Sequence, residues 1–268
     1  MKKIELREEQ LIELNILKEF ADFCDANNLN YYLDSGTLIG AVRHQGFIPW
    51  DDDIDVCFLR KDYERFIKLM AQQNNRLSEH IVLELEDDSL YPYLKLVDTR
   101  TVLIEYPKTN PVETGIYIDV FPKDGIRTLE KKEVRRAKKV QRYNLLFWMR
   151  EFTAPRLARA GGIKNKFCAS IIKMIIPNSS KYKHKAIKLA QKYDVDTCDY
   201  VSSIVCSGMG GCVNKACFKE RIDVSFEGMT FKAPIGYDVY LKSLYSGDYM
   251  VPPPPEKRKA HETIVYWK

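Results

Sequence analysis

The chain has little of what a membrane-spanning, secreted or zinc-held protein requires. Its longest apolar stretches, such as Leu145 to Met149 and Ile171 to Ile176, fall far short of the roughly 20 residues of a spanning helix. The opening Met-Lys-Lys, followed by mixed Glu, Arg and Gln, carries no apolar stretch of the signal-peptide kind, so a cytoplasmic location is expected. Seven cysteines leave at least one unpaired under any disulfide scheme. The closest three, Cys206, Cys212 and Cys217, form no CxxC pair and have no histidine between them, so reduced thiols are expected rather than zinc ligands. There are no internal repeats, and Pro252 to Pro255 is the one low-complexity stretch.

What remains is ordinary globular composition: 268 residues, 45% hydrophobic and 29% charged. That is enough for one large domain, or a domain with an appended lobe. The net charge of +5 is unevenly spread. From Lys131 to Lys192 there are 18 basic residues against two acids, Glu133 and Glu151, whereas the remainder carries 24 basic and 35 acidic residues. A basic segment on an acidic body points to an anionic partner for that segment.

Periodicity predicts a helix over residues 8–26, with Leu11, Leu14, Leu17, Phe20, Ala21 and Cys24 on its inner face. Tyr31 to Leu33 reads as a short strand, ending at the turn Asp34-Ser35-Gly36-Thr37, and Leu38 to Arg43 as a short helix. Ile54 to Leu59 reads as a strand and Asp62 to Met70 as a helix with Tyr63, Phe66, Ile67 and Met70 inside. Strands follow at Ile81 to Leu85, Tyr93 to Val97, Thr101 to Tyr106 and Ile116 to Phe121, with turns at Asp87-Asp88-Ser89 and Asp98-Thr99-Arg100. From residue 129 to 193 the pattern is helical and basic, broken at Pro155, Gly161-Gly162 and Pro177. The tail returns to strands near Val201 to Cys206, a hairpin from Ile222 to Ala233 and a helix from Asp238 to Tyr245. The expected divisions are a catalytic core over 1–128, a basic helical lobe over 129–193 and a closing C-terminal part over 194–268.

The chemistry concentrates between Tyr31 and Leu59. Side chains alternate along a strand, so Asp53 and Asp55 share one face at its start. Two carboxylates so placed repel unless a cation lies between them or one takes a proton. A hard divalent ion, Mg²⁺ or Mn²⁺, resolves the repulsion and completes its shell with phosphate oxygens. Asp119, in the apolar run of Ile118 and Val120, is the candidate third ligand if the two strands are neighbours. A bare aspartate run is commonly a solvated turn. Here it opens a strand, follows a Ser-Gly-Thr turn and has a second acid-bearing strand to pair with, and that combination favours catalysis. At Ser35-Gly36-Thr37 the glycine permits close backbone approach, and hydroxyls and N–H groups at a helix start suit phosphate. An ordinary helix cap explains the same three residues.

The stretch Leu33-Asp34-Ser35-Gly36-Thr37-Leu38-Ile39-Gly40-Ala41-Val42-Arg43-His44, with Phe47 to Val56, Ile118 to Pro122, and the tail Tyr249-Met250, Pro252 to Pro255, Lys257-Arg258 and His261, closely resembles the LicD family. That family is nucleotidyltransferase-like and includes bacterial phosphocholine transferases and fukutin-type ribitol-phosphate transferases. The resemblance implies that Asp53, Asp55 and Asp119 hold the metal, and that Ser35-Gly36 contacts donor phosphates. It also implies transfer of a phospho-alcohol from a CDP-linked donor, CDP-choline foremost, to a hydroxyl of a glycan.

Around this centre, Arg43 can clamp a diphosphate or pair with Asp51 or Asp52, and His44 can assist proton transfer or cap a loop. Lys95 between Leu94 and Leu96 either faces the site or snorkels to solvent. Lys257, Arg258 and His261 either close over the donor or form a solvated tail. Asp51 is a general base, an outer partner of the metal or a solvated side chain. In the basic lobe, Leu145 to Met149 and Ile171 to Ile176 are expected to pack on the body. A helix on an anionic membrane, at its inner face where lipid-linked glycans are presented, is the alternative. Nucleic acid is not expected, for want of a reader motif.

The fold expected is α/β (or α+β): a small nucleotidyltransferase-like mixed sheet flanked by helices, with a basic helical insertion. The rival activity is NMP transfer from an NTP, and a non-catalytic membrane scaffold is the rival outside enzymes.

Overall fold

A computed structural model describes residues 1–268 apart from 88, 107, 109, 246, 247 and 259; Asp88 of the expected turn lies outside the described residues. The order of elements is α1 (Leu6–Ala26), β1 (Tyr31–Leu33), α2 (Ser35–His44), β2 (Asp55–Leu59), α3 (Arg60–Gln72), β3 (Ile81–Glu84), β4 (Leu94–Glu105) and β5 (Val112–Ile126). The lobe follows as α4 (Lys131–Trp148), a π turn (Met149–Thr153), α5 (Ala154–Ala160), α6 (Ile163–Ile175) and α7 (Ser180–Ala190). The chain then returns as β6 (Tyr200–Ser202), α8 (Ile204–Ser207), β7 (Val213–Asn214), β8 (Arg221–Phe226), β9 (Met229–Pro234), α9 (Tyr237–Leu244) and β10 (Thr263–Trp267).

The main sheet runs β1-β2-β5-β4-β10, with β3 added to β4 and β6 and β7 continuing from β5. It is mixed: β2 and β5 are parallel, whereas β1–β2, β4–β5 and β4–β10 are antiparallel. A parallel neighbour requires a long crossover, and α3, β3 and β4 lie in sequence between β2 and β5. β8 and β9 form a separate hairpin. The main core gathers α1, α3 and the sheet, with Phe20 edge-on to Tyr31 at 5.3 Å and to Phe58 at 5.5 Å. A second, smaller core joins α4 and α7 through Val140, Ala137, Ala186 and Ala190. Ile126, Ile204 and Val205 belong to it as well, so the lobe is sealed by residues on both sides of the segment 129–193.

Several expectations need correction. Leu11 is 49% exposed, and the inner face of α1 instead includes Glu9, Ile12, Glu13 and Ile16. The turn at Asp98-Thr99-Arg100 is a register irregularity inside one continuous strand, β4. There the Thr101 hydroxyl donates to the Asp98 carbonyl and accepts from the Ile116 N–H, which holds the bulge against β5 without a reversal. Pro155 lies in the first turn of α5, directly after the π turn, where its missing N–H costs nothing. Gly161 and Gly162, at φ of +73° and +79°, do break the helices. The strand expected over Val201 to Cys206 stops at Ser202 and gives way to α8.

The packing expected of the lobe holds only in part. Phe147 and Ile176 are buried, but Leu145, Ile163, Phe167, Met174 and Ile175 are exposed, Ile163 by 91%. The α5–α6 hairpin folds back on itself and leaves that face without a neighbour among the described residues. No described helix is long and apolar enough to cross a membrane.

Candidate active site

The register of the sheet assembles the site. β2 places Asp55 opposite Asp119 on β5, and β4 places Lys95 opposite Asp119 from the other side. Directly paired residues on neighbouring strands share a face, so Asp55, Asp119 and Lys95 form one row across three strands. Asp53 lies just before β2 and lines the same cavity as Asp119. Asp51 and Asp52 precede it in the same loop, which Gln10 of α1 holds by donating to the Asp51 carbonyl at 2.8 Å.

This much acid in one place is electrostatically expensive. Burial first, then the Asp53 and Asp119 charges, push the Asp55 carboxyl well above its usual range. Burial, then Asp51, raise Asp53 to about 7. Burial, then Asp52, raise Asp51 to about 6. Burial raises Asp119 too, with Lys95 pulling against it. The Lys95 ammonium is buried, 3.2 Å from Asp119 and 3.7 Å from Glu105. It faces the carboxylates and does not snorkel to solvent. Neither it nor the nearer Asp119 oxygen makes a well-directed hydrogen bond.

Three clustered carboxylates, one with a buried oxygen that receives no well-directed hydrogen bond, fit a hard divalent cation by donor chemistry. Among the described residues no group of three His, Cys, Asp or Glu side chains is already arranged to hold a metal ion. Lys95 supplies positive charge at Asp119.

Asp34 anchors the other wall. Its carboxylate caps α2 by accepting from the Ser35 N–H at 2.9 Å. It also pairs with the buried Lys123 ammonium at 2.7 Å and accepts from the Tyr240 hydroxyl. The helix therefore begins at Ser35, three residues earlier than expected, and Ser35 takes φ +46°. Gly36 passes so near the loop that a Cβ there would lie 2.8 Å from Asp51 Oδ2. The Thr37 hydroxyl is buried and accepts from the Asp55 N–H at 2.8 Å, fastening α2 to β2.

Arg43 donates to the Tyr249 carbonyl and to His44 Nδ1, and lines a second cavity of about 420 Å³ with Gly36, Trp50 and Asp51. Burial lowers Arg43, and burial then Arg43 lower His44. From the tail, the Arg258 guanidinium lies over the Trp50 ring at 4.8 Å, while Lys257 is exposed. His261 reaches the aspartates, its N–H and Nδ1 both on Asp52. That hydrogen bond raises it to about 9, against burial. Of the expected residues, Asp53, Asp119 and His261 line the first cavity and Gly36, Arg43 and Asp51 the second. Asp55, Lys95 and Arg258 adjoin these through Asp119 and Trp50, and Ser35, Thr37, His44 and Lys257 line neither.

Sequence reasoning missed Glu9 and Glu13, buried on α1. Their i, i+4 spacing on the inner face was the available signal. It also missed Asp52 as the partner of His261, and the tyrosines Tyr91, Tyr93 and Tyr117 with Glu105. Tyr91 and Tyr93 directly precede β4, Glu105 ends it and Tyr117 lies on β5, so it is the fold that joins them.

A mixed sheet with acids in register across β2 and β5, beside a glycine-bearing helix start, defines a nucleotidyltransferase-like domain. Residues 28–155 match the family described as LicD/FKTN/FKRP, nucleotidyltransferase domain. Lipopolysaccharide cholinephosphotransferase LicD of Haemophilus influenzae is 35% identical over 275 residues, covering 97% of each chain. The chain belongs to the LicD family. Human ribitol 5-phosphate transferase FKRP is similar over a shorter stretch, 24% identical over 119 residues, 43% of this chain and 22% of that protein.

Proposed function

We propose that this protein is a metal-dependent transferase that moves phosphocholine or a similar phospho-alcohol from a CDP-linked donor to a hydroxyl of a glycan or its lipid-linked precursor. The observation that carries the reading is the in-register row of Asp55 and Asp119 with Asp53 beside it, in a chain similar along its length to a cholinephosphotransferase. Asp53, Asp55 and Asp119 would hold Mg²⁺ or Mn²⁺, which when bound neutralises phosphate charge and polarises phosphorus. The start of α2, with Ser35 and Gly36, meets the donor's phosphates. Arg43, Trp50 and Arg258 around the second cavity take the nucleotide side. The acceptor hydroxyl attacks the distal phosphorus, the phosphoanhydride bond breaks and CMP leaves. The hydroxyl's proton passes to the carboxylate cluster, in which Asp51 and Asp52 are the loop acids outside the metal set.

The membrane reading of the lobe is favoured by α6. Its exposed Ile163, Phe167, Met174 and Ile175 lie among Lys164, Lys166 and Lys173, a composition matched to an anionic lipid surface that presents a lipid-linked glycan.

Incubation with Mg²⁺ and a panel of CDP-choline, CDP-ribitol, CDP-glycerol and NTPs, followed by product identification, tests the activity. CMP release from a CDP-alcohol is expected. Asp55→Asn should reduce it by more than about a hundredfold, beyond the usual cost of losing an outer partner of a metal. Pyrophosphate release from an NTP would instead establish nucleotidyl transfer. Failure to bind or cleave any donor with any divalent metal would overturn the reading.

A further inference from the structure

The cavity beside Asp53 and Asp119, about 160 Å³ in volume, is also lined by Tyr91, Tyr93, Tyr106 and Tyr117. Its other lining groups are mostly acids, among them Glu13, Glu105 and Glu262, with His261 at the aspartate end. Glu105 is held rigidly, because the Tyr117 and Tyr91 hydroxyls donate to its two oxygens at 2.6 and 2.7 Å. Glu13 is 2% exposed, lines the cavity and has a carboxyl oxygen with no hydrogen-bond partner. The tyrosine rings already receive an ammonium. Lys95 Nζ lies 3.1 Å from the centre of the Tyr117 ring, 4.2 Å from Tyr91 and 6.0 Å from Tyr93. Lys95 itself borders a neighbouring cavity, together with Tyr91 and Glu105.

We propose that this cavity is the head-group subsite, taking the cationic end of the transferred phospho-alcohol among Tyr91, Tyr117 and Glu105 while its phosphate remains at Asp53 and Asp119. The assignment rests on the phospho-alcohol reading above and makes these three residues the determinants of donor choice. Aromatic faces attract a quaternary ammonium, which has no N–H to donate and is held by the ring quadrupoles. The acids of the lining outnumber Lys95, the ammonium that pairs with Glu105 and Asp119. A neutral polyol gains nothing from the ring faces and is left to donate to the acids, the Tyr91 and Tyr117 hydroxyls being committed to Glu105. A second anionic group would be repelled by the acids. The one lining pattern therefore favours the cation and disfavours both alternatives.

The test compares choline with its uncharged carbon isostere, 3,3-dimethylbutan-1-ol. Ligand-observed NMR measures binding of the two free alcohols to the full chain, and CMP release measures turnover of their CDP esters. The charged member of each pair should be preferred by about tenfold or more. Glu105→Gln and Tyr117→Leu, each shown to be folded by its thermal melt, should reduce the preference to within about threefold of unity, with Tyr117→Phe intermediate because the ring remains. Equal binding of charged and neutral alcohols by the unaltered protein overturns the assignment, as do folded variants that keep the full preference. The two readings fail separately. CMP release without discrimination sinks the subsite and spares the transferase, whereas discrimination between the free alcohols without CMP release does the reverse.

Discussion

Glu9 and Glu13 stand one helical turn apart on α1, and both carboxyls are buried against the aspartate loop. Burial, then Asp52, raise Glu9 from 4.5 to about 8; burial, then Glu9, push Glu13 well above its usual range. The fold favours the neutral acid, so for Glu9 the penalty is absent below 4.5, grows as pH rises and is complete above about 8. His261 acts in the same direction. Its bond to Asp52 raises it from 6.5 to about 9, so its stabilisation is complete below 6.5 and is lost as pH rises through 9. Metal-free protein should therefore melt at a higher temperature near pH 5 than near pH 8.5. Glu9→Gln cannot ionise, and it should raise stability by about 1–3 kcal/mol near pH 8.5 while changing it little near pH 5. Calorimetric melts of both proteins in chelator check this. A Gln variant that gains equally at both values would show that the carboxyl's ionisation is not what costs stability.

At the scale of the element, two glycines of α2 separate stability from chemistry. A Cβ on Gly40 would lie 2.5 Å from the Gly46 carbonyl and 3.4 Å from the Phe226 ring, neither of which can swing aside. Gly40→Ala should cost about 1–3 kcal/mol and lower the melting temperature by several degrees. On Gly36 the Cβ would meet only Asp51 Oδ2 at 2.8 Å, the end of a side chain that can rotate. Gly36→Ala should melt within about two degrees of the unaltered protein but release CMP more slowly, because Asp51 is displaced. Equal losses of stability in the two variants would refute the distinction. The same helix shows how much was legible in the sequence. The acids Asp53, Asp55 and Asp119 and the alternation of β2 and β5 are local patterns, and the condition that the two strands be neighbours is met, whereas the expected Ser35-Gly36-Thr37 turn is the first turn of α2. What escaped was set by register and distance. β10 pairs with β4 across more than half the chain, Glu105 meets Tyr91 only once β4 and its preceding loop fold together, and the bulge at Asp98 mimics a turn because Thr101 satisfies it locally.

Across the whole molecule, charge and exposed apolar surface are segregated together. Acids line the cavities of the core, while the basic lobe holds the α6 face bearing Ile163, Phe167, Met174 and Ile175. Basic residues near an anionic surface contribute about 1 kcal/mol each, and screening weakens them as salt rises. The apolar side chains add insertion that salt does not remove. Two contributions of different origin give a distinctive signature in vesicle co-sedimentation. The full chain should bind phosphatidylglycerol-containing vesicles and leave pure phosphatidylcholine vesicles largely free. Salt at about 0.5 M should weaken that binding without abolishing it. Replacing Phe167 and Met174 by Ser should remove the salt-resistant fraction, and replacing Lys164, Lys166 and Lys173 by Gln should remove the salt-sensitive one. None of these five residues lines either cavity of the site, so CMP release from a water-soluble donor should be unaltered in both variants while transfer to a lipid-linked acceptor in vesicles falls. Equal binding to neutral and anionic vesicles, or none to either, would leave the lobe's charge without a membrane role.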